Sequence, residues 1–108
     1  QANDYPSVMA AEFQQRCNLI VDRLNAMPGV QCHRPKGAIY VFPQVDVPGM
    51  NSEDIAMELL RDGVLCSPGS AFGPSGEGHL RFAYTISQAD IARGMDKVEA
   101  TLKRLQQA

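Results

Sequence analysis

Arg81 is the one charged side chain in the run Leu80-Arg81-Phe82-Ala83-Tyr84. An arginine set into an apolar strand has two readings. It snorkels from a solvated sheet face, or it aims its planar guanidinium at a carboxylate and makes two parallel charge-assisted hydrogen bonds that lysine cannot reproduce. Just before it, Gly69, Gly73, Gly76 and Gly78 surround Pro74, a composition that excludes regular helix or strand and predicts a shaped loop. A shaped loop ending beside a strand arginine favours the carboxylate reading. His79 lies two residues from Arg81 on the same face and has the type of a general base, but no nucleophile or paired carboxylate accompanies it in sequence. Tyr40 alternates with Ile39 and Val41, so it points away from them, either into core or interface packing or toward a substrate.

Other chemistries find little support. A phosphate-cradling loop needs a Lys after its glycines and a helix behind it; here no Lys follows and a strand pattern does. Lys36, Lys97 and Lys103 fall in a turn and on the outer face of the last helical stretch, so none has the desolvated setting of a Schiff-base lysine. Cys17, Cys32 and Cys66 are scattered and odd in number, which predicts reduced thiols acting as small apolar fillers. Neither they nor His33 and His79 have metal-ligand spacing. Ten Lys and Arg against twelve Asp and Glu leave a net charge of −2 with no basic run, so nucleic acid is not an expected partner. No apolar stretch approaches the roughly 20 residues of a membrane span, and no signal peptide is evident; a cytoplasmic location is expected. The first residue is Gln1, not Met, and the chain reads as a piece of something larger.

The elements that must position Arg81 can be read from periodicity. At 108 residues, 44% apolar and 20% charged, one domain spanning 1–108 is expected. Phe13, Cys17, Ile20, Leu24 and Met27 recur at helical spacing, which predicts a helix from about Ser7, a possible cap, to a stop at Pro28-Gly29. Val30–His33 and Ala38–Phe42 read as two strands paired in a hairpin around Arg34-Pro35-Lys36-Gly37. A second helix starts at Asn51 or Ser52, has Glu53 and Asp54 in its first turn, turns Ile55, Ala56, Leu59 and Leu60 inward, and ends at Gly63. Val64-Leu65-Cys66 reads as a short buried strand. Leu80, Phe82 and Tyr84 form the apolar face of the next. Ser87 with Asp90 opens a last helix whose stripe is Ile91, Met95, Val98, Leu102 and Leu105. The expected fold is α+β: a two-layer sandwich in which three main helices cover one face of a small mixed or antiparallel sheet of about four strands.

Three blocks, Pro35-Lys36-Gly37-Ala38-Ile39-Tyr40-Val41-Phe42-Pro43, Gly63-Val64-Leu65-Cys66-Ser67-Pro68-Gly69-Ser70-Ala71-Phe72-Gly73 and Gly78-His79-Leu80-Arg81-Phe82-Ala83-Tyr84, together resemble the C-terminal small domain of class I/II, fold-type-I aminotransferases dependent on pyridoxal 5′-phosphate (PLP), aspartate aminotransferase-like. With the flanking helices, the resemblance covers nearly the whole chain. It implies that Arg81 holds the substrate α-carboxylate, that Gly37 lies near the substrate and that Tyr40 lies near the site entrance. It also implies that the catalytic lysine and the cofactor anchors belong to a large domain absent from this chain. The isolated chain is then expected to contain no catalytic residue, to bind no cofactor or metal and to be inactive. The full-length enzyme would be a PLP-dependent homodimer exchanging an amino group between an amino acid and a 2-oxo acid. The alternative is a stand-alone α+β module that binds small carboxylates without chemistry.

Overall fold

The computed structural model describes residues 5–35, 40–84 and 86–107, with side chains from residue 8 onward. Helix α1 (Tyr5–Asn25) begins two residues before Ser7, which is therefore helical and not its cap; Pro6, whose missing N–H costs nothing in a first turn, is accommodated there. Its predicted stripe faces inward: Cys17, Ile20, Leu24 and Met27 are buried and Phe13 packs partly against them. The helix ends where the Asn25 side chain turns back to bond both backbone groups of Cys32, its Oδ1 accepting from the N–H at 2.8 Å and its Nδ2 donating to the carbonyl at 2.9 Å.

Among the described residues, five short strands follow: β1 (Val30–Gln31), β2 (Tyr40–Val41), β3 (Gln44–Val45), β4 (Ser67–Pro68) and β5 (Leu80–Ala83). All described pairings are antiparallel, in a two-stranded β1-β3 sheet and a three-stranded β2-β5-β4 sheet, joined by a bridge between Gln44 and His79. The α+β class stands, with the described strands split between two sheets instead of one sheet of four.

The expected hairpin of the first two strands does not form. Val30 pairs with Val45, whereas Tyr40 and Val41 pair with Ala83 and Phe82. Pro43 makes the division: buried and without an N–H, it ends one ladder while its carbonyl accepts from Leu80 N at 3.1 Å, and the chain beyond it turns to β1. Lys36, Gly37, Ala38 and Ile39, on which the predicted turn and the start of the second strand fall, lie outside the described residues.

Helix α2 (Ser52–Arg61) is capped by Asn51, whose side chain accepts from Asp54 N at 2.9 Å. Ile55, Ala56 and Leu59 are buried, but Leu60 is 50% exposed, one residue round the helix from the stripe. Val64-Leu65-Cys66 is not a strand. The Val64 N–H is taken by the carbonyl of Leu59 at 2.8 Å, closing the end of α2, and Leu65 stands 83% exposed; pairing starts only at Ser67. Helix α3 (Gln88–Gln107) opens with Ser87 Oγ accepting from Asp90 N at 3.2 Å. Its Ile91, Met95, Val98 and Leu102 are buried, with Leu105 partly so. It lies along α1, where Arg23 pairs with Asp96 at 2.7 Å. Among the described residues no helix is long and apolar enough to cross a membrane.

Candidate functional site

Strand β5 is the centre of its sheet, and its alternation divides two environments. Leu80 and Phe82, with Val41 from β2, are buried beneath the helices. Arg81 projects from the other face with Ala83. The register carries Tyr40, opposite Ala83, and Ser67, opposite Arg81, to that same face.

On this face the Arg81 guanidinium carbon lies 4.2 Å from the centroid of the Tyr40 ring and 4.5 Å from that of Phe72. Tyr40 arrives from the neighbouring strand, Phe72 from the glycine-rich loop. Phe72 stands edge-on to Phe42 at 6.1 Å, and Phe42 stacks on His79 with centroids 4.8 Å apart and planes 9° from parallel. Tyr40, Phe42 and Phe72 are 37–48% exposed, so the cluster is an open aromatic surface with a cation in it and not part of the core.

Chemically, rings against the guanidinium leave its N–H edges for an in-plane partner, while cation–π attraction of about 0.5–1 kcal/mol per exposed contact restrains its orientation. Arg16, Arg23, Arg61, Arg93 and Arg104 are all paired with carboxylates, and Arg34 donates to Asn18. Among the described residues Arg81 has no such acceptor. A planar anion such as a carboxylate fits that fork edge-on with two hydrogen bonds.

The loop that delivers Phe72 consists of two 3-10 turns, Gly69–Phe72 and Pro74–Gly76, where sequence predicts only irregular structure. Gly69 and Gly76 are packed backbone to backbone: a Cβ on Gly69 would come within 1.9 Å of the Gly76 carbonyl oxygen, and one on Gly76 within 2.1 Å of the Gly69 oxygen. Gly69 N donates to the His79 carbonyl at 2.7 Å, fastening the loop to the start of β5. Glu77 ties it to α2, its carboxylate accepting from the Ser52 and Gly78 backbone N–H groups at 2.8 Å each and from Ser52 Oγ at 3.0 Å. These bonds, the one from the Ser52 backbone foremost, hold the Glu77 carboxyl below its ordinary pKa.

Of the residues that sequence reading singles out, Arg81 and Tyr40 are in contact and Gly37 lies outside the described residues. His79 is beside Phe42, with Nδ1 3.3 Å from the Glu77 carbonyl oxygen. Sequence reading overlooks Phe72, Phe42 and Glu77 at this site; an aromatic in a glycine-rich loop immediately before the arginine strand was the available signal. The three cysteines are free thiols, with Cys32 and Cys66 both pushed up to about 11 by burial.

No family model matches the chain. Over 96 residues, 88% of its length, it is 40% identical to an aspartate aminotransferase of Pyrococcus horikoshii, and over a further 96-residue alignment 38% identical to aromatic-amino-acid aminotransferase 2 of Thermococcus litoralis. Its fold matches 94% of the chain onto an alanine aminotransferase structure from Pyrococcus furiosus with a TM-score of 0.88 and 32% identity, covering 26% of that protein. The chain spans about a quarter of the length of the curated relatives it matches, 25% and 24% respectively.

Proposed function

We propose, from the premise that this chain is homologous to the C-terminal quarter of aminotransferases, that it is the small domain of a PLP-dependent aminotransferase and supplies the arginine that binds the α-carboxylate of the amino acid and of the 2-oxo acid. The observation that carries this reading is the Arg81 guanidinium set against Tyr40 and Phe72, 4.2 and 4.5 Å from the ring centroids, on the open sheet face. An α-carboxylate is common to both substrates of amino transfer, so one fixed fork serves both halves of an exchange. Holding it orients the bonds at the α-carbon without itself moving a proton, a positioning contribution.

PLP requires a lysine in a desolvated pocket and donors for its phosphate. Lys97 and Lys103 are exposed on α3, so the described residues do not fit the cofactor. Its lysine and anchors are assigned to the portion of the enzyme outside this chain, together with the side-chain specificity and the homodimer contacts. The proposed location of that enzyme is the cytoplasm. The 108-residue chain alone, given PLP and an amino acid, is expected to turn nothing over.

The test is the kinetics of Arg81 variants in the aminotransferase that contains this chain. Two charge-assisted bonds, each worth roughly 1.5–3 kcal/mol, make Arg81→Ala lose about 10² to 10⁴ in kcat/KM. Arg81→Lys restores only part, since the charge remains but the fork is gone. PLP content should be unchanged in both variants. Near-normal kcat/KM in Arg81→Ala returns this residue to a solvated sheet arginine.

A further inference from the structure

Phe72 covers one side of the Arg81 guanidinium, yet nearly half of its surface is open at 48% exposure; burial in the core does not hold it there. Its place comes from the backbone of the loop between β4 and β5. The loop is fastened at its base by the Gly69 to His79 hydrogen bond and the Gly69–Gly76 contact. Its flank is fastened by Glu77, whose two carboxylate oxygens take three hydrogen bonds, two of them from Ser52 at the first turn of α2. Ser52 is 1% exposed, and its Oγ accepts in turn from Ser70 N at 3.3 Å, two residues before Phe72. A carboxylate at the positive end of α2 thus bonds a buried serine, and that serine bonds the 3-10 turn carrying the aromatic wall.

We infer that Glu77 is a positioning residue for the Arg81 site: by clamping the 69–79 loop to the N-terminus of α2 through Ser52, it holds Phe72 against the guanidinium and so presets the orientation in which a carboxylate is bound. The inference rests on the carboxylate reading of Arg81 and adds a residue that does not touch the ligand. Without the clamp, the first 3-10 turn loses its tie to α2, Phe72 moves off, and Arg81 must be ordered by the ligand itself. Immobilising one such side chain costs about 0.5–1.5 kcal/mol, a two- to tenfold loss of affinity.

The experiment uses the 108-residue chain, labelled for NMR, with sodium acetate at constant ionic strength as the carboxylate probe and the Arg81 Nε–H signal as reporter. In Glu77→Ala the cross-relaxation between the Phe72 ring and the Arg81 side chain should vanish while that to Tyr40 persists, and acetate affinity should fall two- to tenfold. Phe72→Ala should show a similar fall, and the double variant no further one, because Glu77 acts through Phe72. A merely structural Glu77 would add its loss to that of Phe72→Ala. Additive losses, or a Phe72 contact that survives Glu77→Ala, overturn the inference. Should Glu77→Ala fail to fold, Glu77→Asp, whose carboxylate is one methylene too short to keep both Ser52 bonds, is read by the same two criteria. Absence of any acetate-dependent shift at Arg81 in the parent chain would instead sink the carboxylate reading, while the ring contact still decides the geometry.

Discussion

Arg81 gains its setting from residues that sequence places far from it, and glycine matters as much as the aromatic rings. The Gly69–Gly76 contact leaves no room for a single carbon, so Gly69→Ala must push the two 3-10 turns apart. It is expected to destabilise by at least about 1–3 kcal/mol and to release Phe72. Gly94 is the control within the same molecule. It lies in α3, and a Cβ there meets nothing within 4 Å, so Gly94→Ala should stabilise by about 0.4–1 kcal/mol through the unfolded chain's lost freedom. Urea melts of the two variants check both signs; a neutral Gly69→Ala would mean that the loop yields without cost.

Between elements, the firmest seam is that of α1 against α3, beneath the two sheets. Leu24, with 0% exposure, sits on that helix stripe. Leu24→Ala is expected to cost about 2–5 kcal/mol, the lost transfer energy plus whatever cavity fails to collapse. Leu60 resembles it in sequence type but is half exposed, and Leu60→Ala should change stability by less than about 0.5 kcal/mol. Equal losses in denaturant unfolding would contradict the assignment of α2's outer face. The same division between a buried and an open side lets β5 carry a cation: its Leu80 and Phe82 are buried on the helix side, leaving Arg81 on the other.

Across the whole molecule, several carboxylates tie separate parts together, and two of them, Asp62 and Glu77, have lowered pKa values. Asp62, at the end of α2, is lowered chiefly by the hydrogen bond from Thr101 and then by that from Arg104, both on α3. Glu77 is lowered chiefly by the Ser52 backbone bond. A group whose folded pKa lies below its unfolded value adds stability that is complete above the unfolded pKa, roughly 4 for carboxylates. That stability disappears as pH falls through the folded pKa. The melting temperature should therefore be flat with respect to these groups from pH 7 to about 5 and decline below about 4. Asp62→Asn and Glu77→Gln should each be less stable at neutral pH and show a shallower acid decline. An unchanged acid profile in both variants would show that neither carboxylate links the parts.

Local pattern was enough for the helices, because an apolar stripe at helical spacing, Asn51 before an acidic first turn and Ser87 three residues before Asp90 are signals complete within one segment. It was also enough for the facing of Arg81, since alternation in β5 needs no partner strand. The α+β class and the likeness of the three motif blocks to the aminotransferase small domain were legible in the same way. Strand partnership was not. Whether Tyr40-Val41 meets Val30-Gln31 or Phe82-Ala83 depends on which apolar face the core accepts and on Pro43 dividing the segment, both non-local. Val64-Leu65-Cys66 has the composition of a strand, but the Val64 N–H is spent on closing α2. The walls of the arginine site needed tertiary structure for the same reason: Phe72 reaches Arg81 only because two glycines touch and a glutamate bonds a helix end 25 residues away in sequence.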